Sequence, residues 1–230
     1  MSVSICMATH NGANFLNEQL DSILIQLHEN DELIISDDGS TDDTLKILRS
    51  YNNWIKILPP KKFNNPAKNF EYTLMYSQNE IIFLADQDDI WHPEKIKFMT
   101  GALESSDLAV CDCRMMDEDN NVIAASFFEA NESSQGLINN FIKNSFVGCC
   151  MAFRKKVLAK ALPFPEPVFM HDQWIGLIAQ KYFKVTFLPQ ILVDYRRHSK
   201  NFSTTGSKSK NSLGKKVISR VKLAKMLLQR

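Results

Sequence analysis

Three carboxylates stand within four residues of "LADQDDIW": Asp86, Asp88 and Asp89, with Gln87 between the first two. They follow directly on Ile81, Ile82, Phe83 and Leu84, an apolar run that reads as a buried strand. Like charges crowded at a strand end repel one another unless a cation is held among them. Oxygen ligands of this kind favour Mg2+ or Mn2+ over zinc. A cap for the helix opened by Pro93 needs one carboxylate, a job for Asp89, and leaves the other two unexplained. "THNG" after "VSICMA" and "SDDGS" after "ELII" have the same placement, polar groups just past an apolar run. The eight glycines contain no GxG spacing and no GxxxxGK loop, so the glycine-rich phosphate cradles are missing. A divalent ion gripped by strand-end aspartates is another way to neutralise the diphosphate of a nucleotide.

The elements that must carry these clusters alternate along the chain. Residues 2–8, 32–36, 55–58 and 80–85 read as strands, and 13–27, 42–50, 67–77 and 93–102 as helices. Ser40 or Thr41 can cap the second helix, with Asp42 and Asp43 at the positive end of its dipole. Four strand–helix units in about 100 residues predict an α/β fold with a mostly parallel, doubly wound sheet flanked by helices. Ligands of such sheets bind outside the carboxyl ends of the strands, where all three polar clusters lie.

Composition narrows the class. A chain of 230 residues with 44% hydrophobic content can bury a sizeable core. The net charge of +1 argues against a surface built for nucleic acid. Five cysteines form no CxxC pair and sit mostly in apolar runs, as expected of reduced thiols in a cytoplasm. Cys149 and Cys150 are expected to pack within an apolar strand. The first residues do not read as a signal peptide, and no apolar run is long enough to predict a membrane span. Residues 206–230 carry eight Lys or Arg and no acid, leaving 19 basic against 26 acidic residues in the first 205, a net of −7.

"VSICMATHNG", "IISDDGSTDDT", "LADQDDIW" and "HDQW", in this order, resemble the inverting family 2 glycosyltransferases of the GT-A fold over residues 2 to about 203. "FVGCCMAFRK" through "YRRHSKNFS" further resembles bacterial members that build O-antigen or capsule, the rhamnosyltransferase-like ones. The resemblance implies a single domain over 1–205. Its first 105 residues or so would bind the nucleotide-sugar, UDP- or dTDP-linked, and about 106–205 the acceptor. Thr9, His10 and Asn11 would line the base and ribose, and Asp38 with Asp37 would meet the base edge or ribose hydroxyls. Lys68 or Asn69 falls where the family contacts nucleotide, and Gln87 joins the same group. Asp86 and Asp88 would be the DxD-like metal pair, with His198 completing the metal shell. Arg196 or its neighbour Arg197 would meet the diphosphate.

Inverting transfer is one in-line displacement at the anomeric carbon, and it needs one carboxylate to take the acceptor's hydroxyl proton. The resemblance makes Asp172 that base, with a helix N-cap as its plainer role. His171 stands where the family usually has a glutamate, beside the acceptor. Trp91 and Trp174 could stack on sugar faces or pack the core.

The basic tail carries its own pattern. Leu213, Val217, Val221, Ala224 and Leu228 form one helical stripe after the polar linker "TTGSKSKNS". A basic amphipathic helix fits an anionic membrane surface, which would place the enzyme on the inner face of the cell membrane beside a lipid-linked glycan acceptor. Packing against the domain is the competing role. Two other functional classes share some of these features: a nucleotidyltransferase, which would need a glycine-rich basic loop after the first strand, and a non-catalytic nucleotide-sugar-binding module, which would not need both Asp88 and Asp172.

Overall fold

In the computed structural model, residues 1–166, 170–199, 201 and 213–230 are described, the last segment with side chains from residue 218. The linker read over 204–212 therefore lies outside the described residues. Strands β1 (Val3–Thr9), β2 (Glu32–Asp37), β3 (Lys56–Ile57) and β4 (Ile81–Ala85) alternate with helices α1 (Leu16–Leu24), α2 (Thr44–Ser50) and α3 (Pro66–Met75). After β5 (Ile90–Trp91) and α4 (Lys95–Ala102) come β6 (Leu108–Asp117) and β7 (Val122–Ala124). Helices α5 (Phe127–Ala130) and α6 (Leu137–Ile142), a 3-10 turn at Gly148–Cys150, and β8 (Met151–Arg154) follow. The chain continues through α7 (Lys155–Ala161), α8 (His171–Tyr182), β9 (Val185–Arg197) and α9 (Leu213–Gln229).

One sheet in the order β3-β2-β1-β4-β8-β6-β9-β5 runs through the described residues, with β7 attached to β6. The parallel character expected of it belongs to β3-β2-β1-β4. Beyond β4 the sheet is mixed: β8 runs antiparallel to both β4 and β6, while β6 and β9 are parallel. Both halves of the chain thus share a single sheet. The reason β4 tolerates a partner on each side is its composition, since all five of its residues are apolar and buried. Side chains from β1, β4, β6 and β8 form the centre of one core with α1, α4 and α8 against it. Each large side chain so buried contributes about 1.5–3 kcal/mol.

Several local expectations are corrected by tertiary partners. Neither Ser40 nor Thr41 caps α2; Asp42 accepts from the Thr44 amide at 3.0 Å instead, while Ser40 is drawn into the β1–β2 end. Asp89 does not cap α4, whose start at Glu94 has no side-chain cap; its Oδ1 accepts from the Arg196 amide at 3.1 Å. Cys149 and Cys150 lie in the 3-10 turn rather than in a strand. At α3 the local signal prevails: Asn65 accepts from the amides of Ala67 and Lys68, and Pro66 occupies the first turn.

Candidate functional site

β1 pairs with β2 on one side and β4 on the other, so the chain order reverses there and a crevice opens at the carboxyl ends of β1 and β4. A cavity of about 410 Å3 occupies it. Its walls come from three directions: Thr9, His10 and Asp38 with Asn69 on one side, Asp86, Gln87 and Asp88 below, and Gly148, His171 and Asp172 opposite. Residues from both halves of the chain are thus brought to one hollow.

On the first side the polar groups are largely tied to one another. Gln87 clasps the His10 backbone, accepting from its amide at 2.8 Å and donating to its carbonyl at 3.0 Å. Gly12 permits this clasp, because a Cβ there would lie 2.2 Å from Gln87 Oε1. Asn11, at φ +50°, receives the Thr41 amide at 2.8 Å and offers its own amide to Ser40 Oγ. Asp37 is consumed internally, accepting from Thr9 Oγ1 at 2.9 Å and from the Ser40 amide at 2.8 Å. Asp38 faces the cavity while accepting the amides of Phe63, Asn64 and Asn65. That leaves its carboxylate about one free lone pair of four for a ligand. Asn69 also faces the cavity, but its amide group pins the Thr9 and Ser36 carbonyls at 3.3 and 3.1 Å. Lys68 points elsewhere, to an ion pair with Glu166 at the surface. Of the two alternatives raised at this position, the fold puts Asn69 in the wall.

Below lies the acid cluster. Asp88 Oδ2 is 2.9 Å from His198 Nε2 and 3.1 Å from Asn201 Nδ2, so 110 residues of chain close to bring Asp88 and His198 together. Burial, then the charges of Asp89, Asp88 and Asp172, push the Asp86 carboxyl well above its ordinary range. Burial and the Asp88 charge raise Asp89 to about 7. Asp89 Oδ2 is buried with no hydrogen-bond partner. The cluster is short of positive charge, and the residues fit a hard divalent cation on that ground. Asp86, Asp89 and Cys149 place ligand atoms within 4.8 Å of one another. Burial raises the Cys149 thiol well above its usual range, however, and a protonated thiol is a poor ligand, so the oxygens are the better donors.

Two cations flank this cluster, and neither faces the cavity. Arg196 is 2% exposed, its guanidinium donating to the Asp88 carbonyl, Asn120 and Glu18 and lying 4.6 Å over Phe15. Three of its five N–H donors hold Asn120, Glu18 and the loop after β4, and it is absent from the cavity walls, so of the two arginines offered to the diphosphate Arg196 is turned away from the cavity. Lys95, absent from the sequence reading, is wholly buried, donating to the Cys149 carbonyl with its ammonium 3.4 Å from the Trp91 ring centroid. Burial pulls the Lys95 ammonium below its ordinary range, and the neighbouring thiols with Asp89 restore it only in part.

Opposite, Asp172 is the second residue of α8 and 5% exposed. The helix cap position is Met170, so Asp172 does not serve as the cap. Burial raises its carboxyl to about 6, and the Gln173 and Gly148 amides pull it part of the way back. The Gln173 amide donates to it at 2.6 Å. His171 stacks on Phe70 at 4.0 Å, and burial lowers it to about 3, so it stands neutral with Nε2 unpartnered. Gly148 fits beneath the pair because a Cβ would approach His171 Nε2 to 3.2 Å and Asp172 Cβ to 3.6 Å. The two tryptophans are not in the walls. Trp91 is 2% exposed, and Trp174 is 1% exposed with its indole N–H given to the Ala161 carbonyl at 2.9 Å. The sugar-stacking role considered for them is replaced by core packing. Wall residues missed in the sequence include Asn64, Phe70, Val147, Gly148, Tyr195 and Asn201.

The chain is 30% identical over 225 residues to the dTDP-rhamnosyl transferase RfbG of Shigella flexneri, covering 85% of this chain and 72% of that protein. It is 25% identical over 181 residues to WfgD of Escherichia coli, a UDP-Glc:alpha-D-GlcNAc-diphosphoundecaprenol beta-1,3-glucosyltransferase, covering 76% and 69%. Among solved structures, Staphylococcus aureus TarS 1-349 in complex with UDP-GlcNAc superposes with a TM-score of 0.69 at 21% identity, covering 92% of this chain and 62% of that one. The mannosyltransferase PcManGT of Pyrobaculum calidifontis, in complex with GDP-Man and Mn2+, gives 0.68 at 18% identity, covering 87% and 58%. The chain thus spans about 60% of the solved chains and some two thirds to three quarters of the curated relatives. The structural likenesses establish a GT-A fold, and the family model "Glycosyl transferase family 2" matches residues 4–162. With more than half its length so matched and its strand-end clusters gathered round one cavity, the chain belongs to glycosyl transferase family 2.

Proposed function

We propose that this glycosyltransferase inverts configuration as it moves a sugar from a UDP- or dTDP-sugar to a hydroxyl of a lipid-linked glycan. The carrying observation is that Asp172, the Asp86–Asp88 pair and the Thr9–Asp38 side line a single cavity. RfbG is named for a dTDP-sugar and WfgD for a UDP-sugar and a diphosphoundecaprenol acceptor, which supports both the donor classes and the acceptor class.

The donor base and ribose lie along Thr9, His10 and Asp38, where the last free lone pair of Asp38 can accept from a base or hydroxyl. Asp86 and Asp88 would hold Mg2+ or Mn2+, with His198 beside Asp88. When bound, such an ion neutralises the charge that develops on the departing diphosphate. Asp172, across the cavity, takes the proton of the acceptor hydroxyl as its oxygen attacks the anomeric carbon. A carboxyl raised to about 6 suits that task, being ionised at neutral pH yet more basic than an exposed aspartate. Neutral His171 lines the cavity beside it, where an acceptor can meet its ring. On this reading the enzyme works at the inner membrane face, where a lipid-linked acceptor would reside.

Isothermal calorimetry with UDP- and dTDP-sugars, each with and without Mn2+, tests the donor side. Release of nucleoside diphosphate from the bound donor tests the chemistry. Tight donor binding with no turnover on any glycan lipid would leave only a binding module.

A further inference from the structure

We infer that α6 and α9 together form a membrane-docking face for an anionic bilayer. This rests on the reading of a lipid-linked acceptor and adds a second helix that the sequence did not single out.

α9 is fixed to the domain by one side alone. Leu227 is buried in the main core, with Leu223 and Met226 packed against it. Lys181 donates to the Leu227 carbonyl, Arg230 to the carbonyls of Lys160 and Pro163, and Arg220 to that of Ile142 at 2.8 Å. At 3.6 residues per turn, the opposite side presents Ile218, Val221, Lys222, Lys225 and Leu228, all exposed. Ile218 is 59%, Val221 63% and Leu228 82% exposed. Three large aliphatic side chains are thus left on the face turned away from the domain, although Leu223, Met226 and Leu227 already supply the face that packs. The Arg220 contact sets the C-terminal end of α6 against α9, and there Ile138 and Ile142, one turn apart, are 74% and 69% exposed. Large aliphatic side chains left on two adjoining helices form a patch rather than scattered exposure.

Charge selects the occupant. Neither α6 nor α9 contains an acidic residue, and residues 206–230 carry eight basic ones on a chain whose remainder is net −7. An acidic partner surface is attracted by the patch and repelled by the body, which orients the protein with this face down. Apolar side chains interleaved with lysines suit the headgroup boundary of an anionic bilayer, where the aliphatic groups enter and the ammonium groups meet phosphates. A second copy of the chain would bring the same positive charge against itself.

The test is flotation of the full chain with phosphatidylcholine vesicles, with and without about one third phosphatidylglycerol. Capture by the anionic vesicles and not by the neutral ones is expected. Lys222→Gln with Lys225→Gln should weaken capture about 30-fold, at about a factor of five for each charge near the surface. Ile138→Ser with Ile142→Ser should weaken it on the order of 10-fold, since both side chains then stay in water. Thermal melts of all variants should match the parent, as every changed side chain is solvent-exposed. An α6 variant that floats as the parent does overturns the two-helix face. So does concentration-dependent dimerisation, seen by sedimentation, that the same substitutions abolish while flotation is absent. Donor hydrolysis by the same preparations separates the two readings: loss of hydrolysis with flotation intact strikes the enzymatic reading and leaves the docking face standing.

Discussion

Replacing Asp172 by asparagine should slow turnover and, at neutral pH, make the protein more stable. Burial raises this carboxyl from 3.8 to about 6. Folded protein therefore binds the proton more tightly than unfolded protein does. Stability from this group is fully present below pH 3.8 and falls as pH rises through 6, after which the deficit is constant. At about 1.4 kcal/mol per pH unit the deficit is about 3 kcal/mol. The substituted amide cannot ionise, still accepts from the Gln173 amide through its carbonyl oxygen, and removes a charge that also raises Asp86. The Asp172→Asn variant should melt with the parent near pH 4 and about 6–12 °C above it at pH 8, in a chain of this size. Melts are run without metal or donor, so that no ligand adds to the stability of either protein. In parallel, donor affinity should hold within a few fold while kcat falls on the order of 100-fold, as loss of a general base implies. The parent kcat should itself rise with pH through about 6, because only the ionised carboxylate accepts a proton. A melting difference that stays flat from pH 4 to 8, or a variant less stable at pH 8, would refute the buried carboxylate. Near-normal kcat would refute the base.

Three further outcomes are expected. Asp88→Ala, like EDTA treatment, should abolish donor binding measured by calorimetry; equal affinity with and without Mn2+ would remove the metal from the scheme. Gly12→Ala must push Gln87 off the His10 backbone, since the added Cβ would lie 2.2 Å from Oε1. Donor KM should then rise several-fold with kcat little changed, and steady-state kinetics decides. Leu227→Ala should cost about 2–3 kcal/mol in urea unfolding, the lower part of the range for a buried leucine because it sits near a helix end. An unchanged midpoint would mean that α9 does not pack as described.

Much of this molecule is legible along the chain. The apolar runs of β1, β2 and β4 are strands because only a buried sheet accommodates them, and the alternation with helices makes the first half parallel. The acids after β4 had to gather at a strand end whatever the rest of the fold did, since Asp86, Asp88 and Asp89 are the first, third and fourth residues past Ala85. The helix read over 67–77 forms as α3 over Pro66–Met75, with Asn65 accepting from the amides of its first turn. Local sequence fails where a side chain is claimed from far away. Ser40 had the chemistry of a helix cap, yet Asn11 and Asp37 hold it, 29 and 3 positions distant. Arg196 had the charge to meet a diphosphate, yet the return of β9 alongside β5 and β6 turns it into the loop after β4, against Glu18 and Asn120. Trp91 could stack on a sugar or pack the core, and the short strand β5 carries it into the core over Lys95. The helical stripe of the tail was readable from its period, but which side docks was not: Arg220, Leu227 and Arg230 found partners on α6 to α8 that no local pattern encodes. Periodicity and polarity are properties of neighbours in sequence, so they determine the strands, the helices and which ends are polar. Burial and hydrogen-bond competition are properties of neighbours in space, so only the tertiary structure decides which of those polar groups remain to face a ligand.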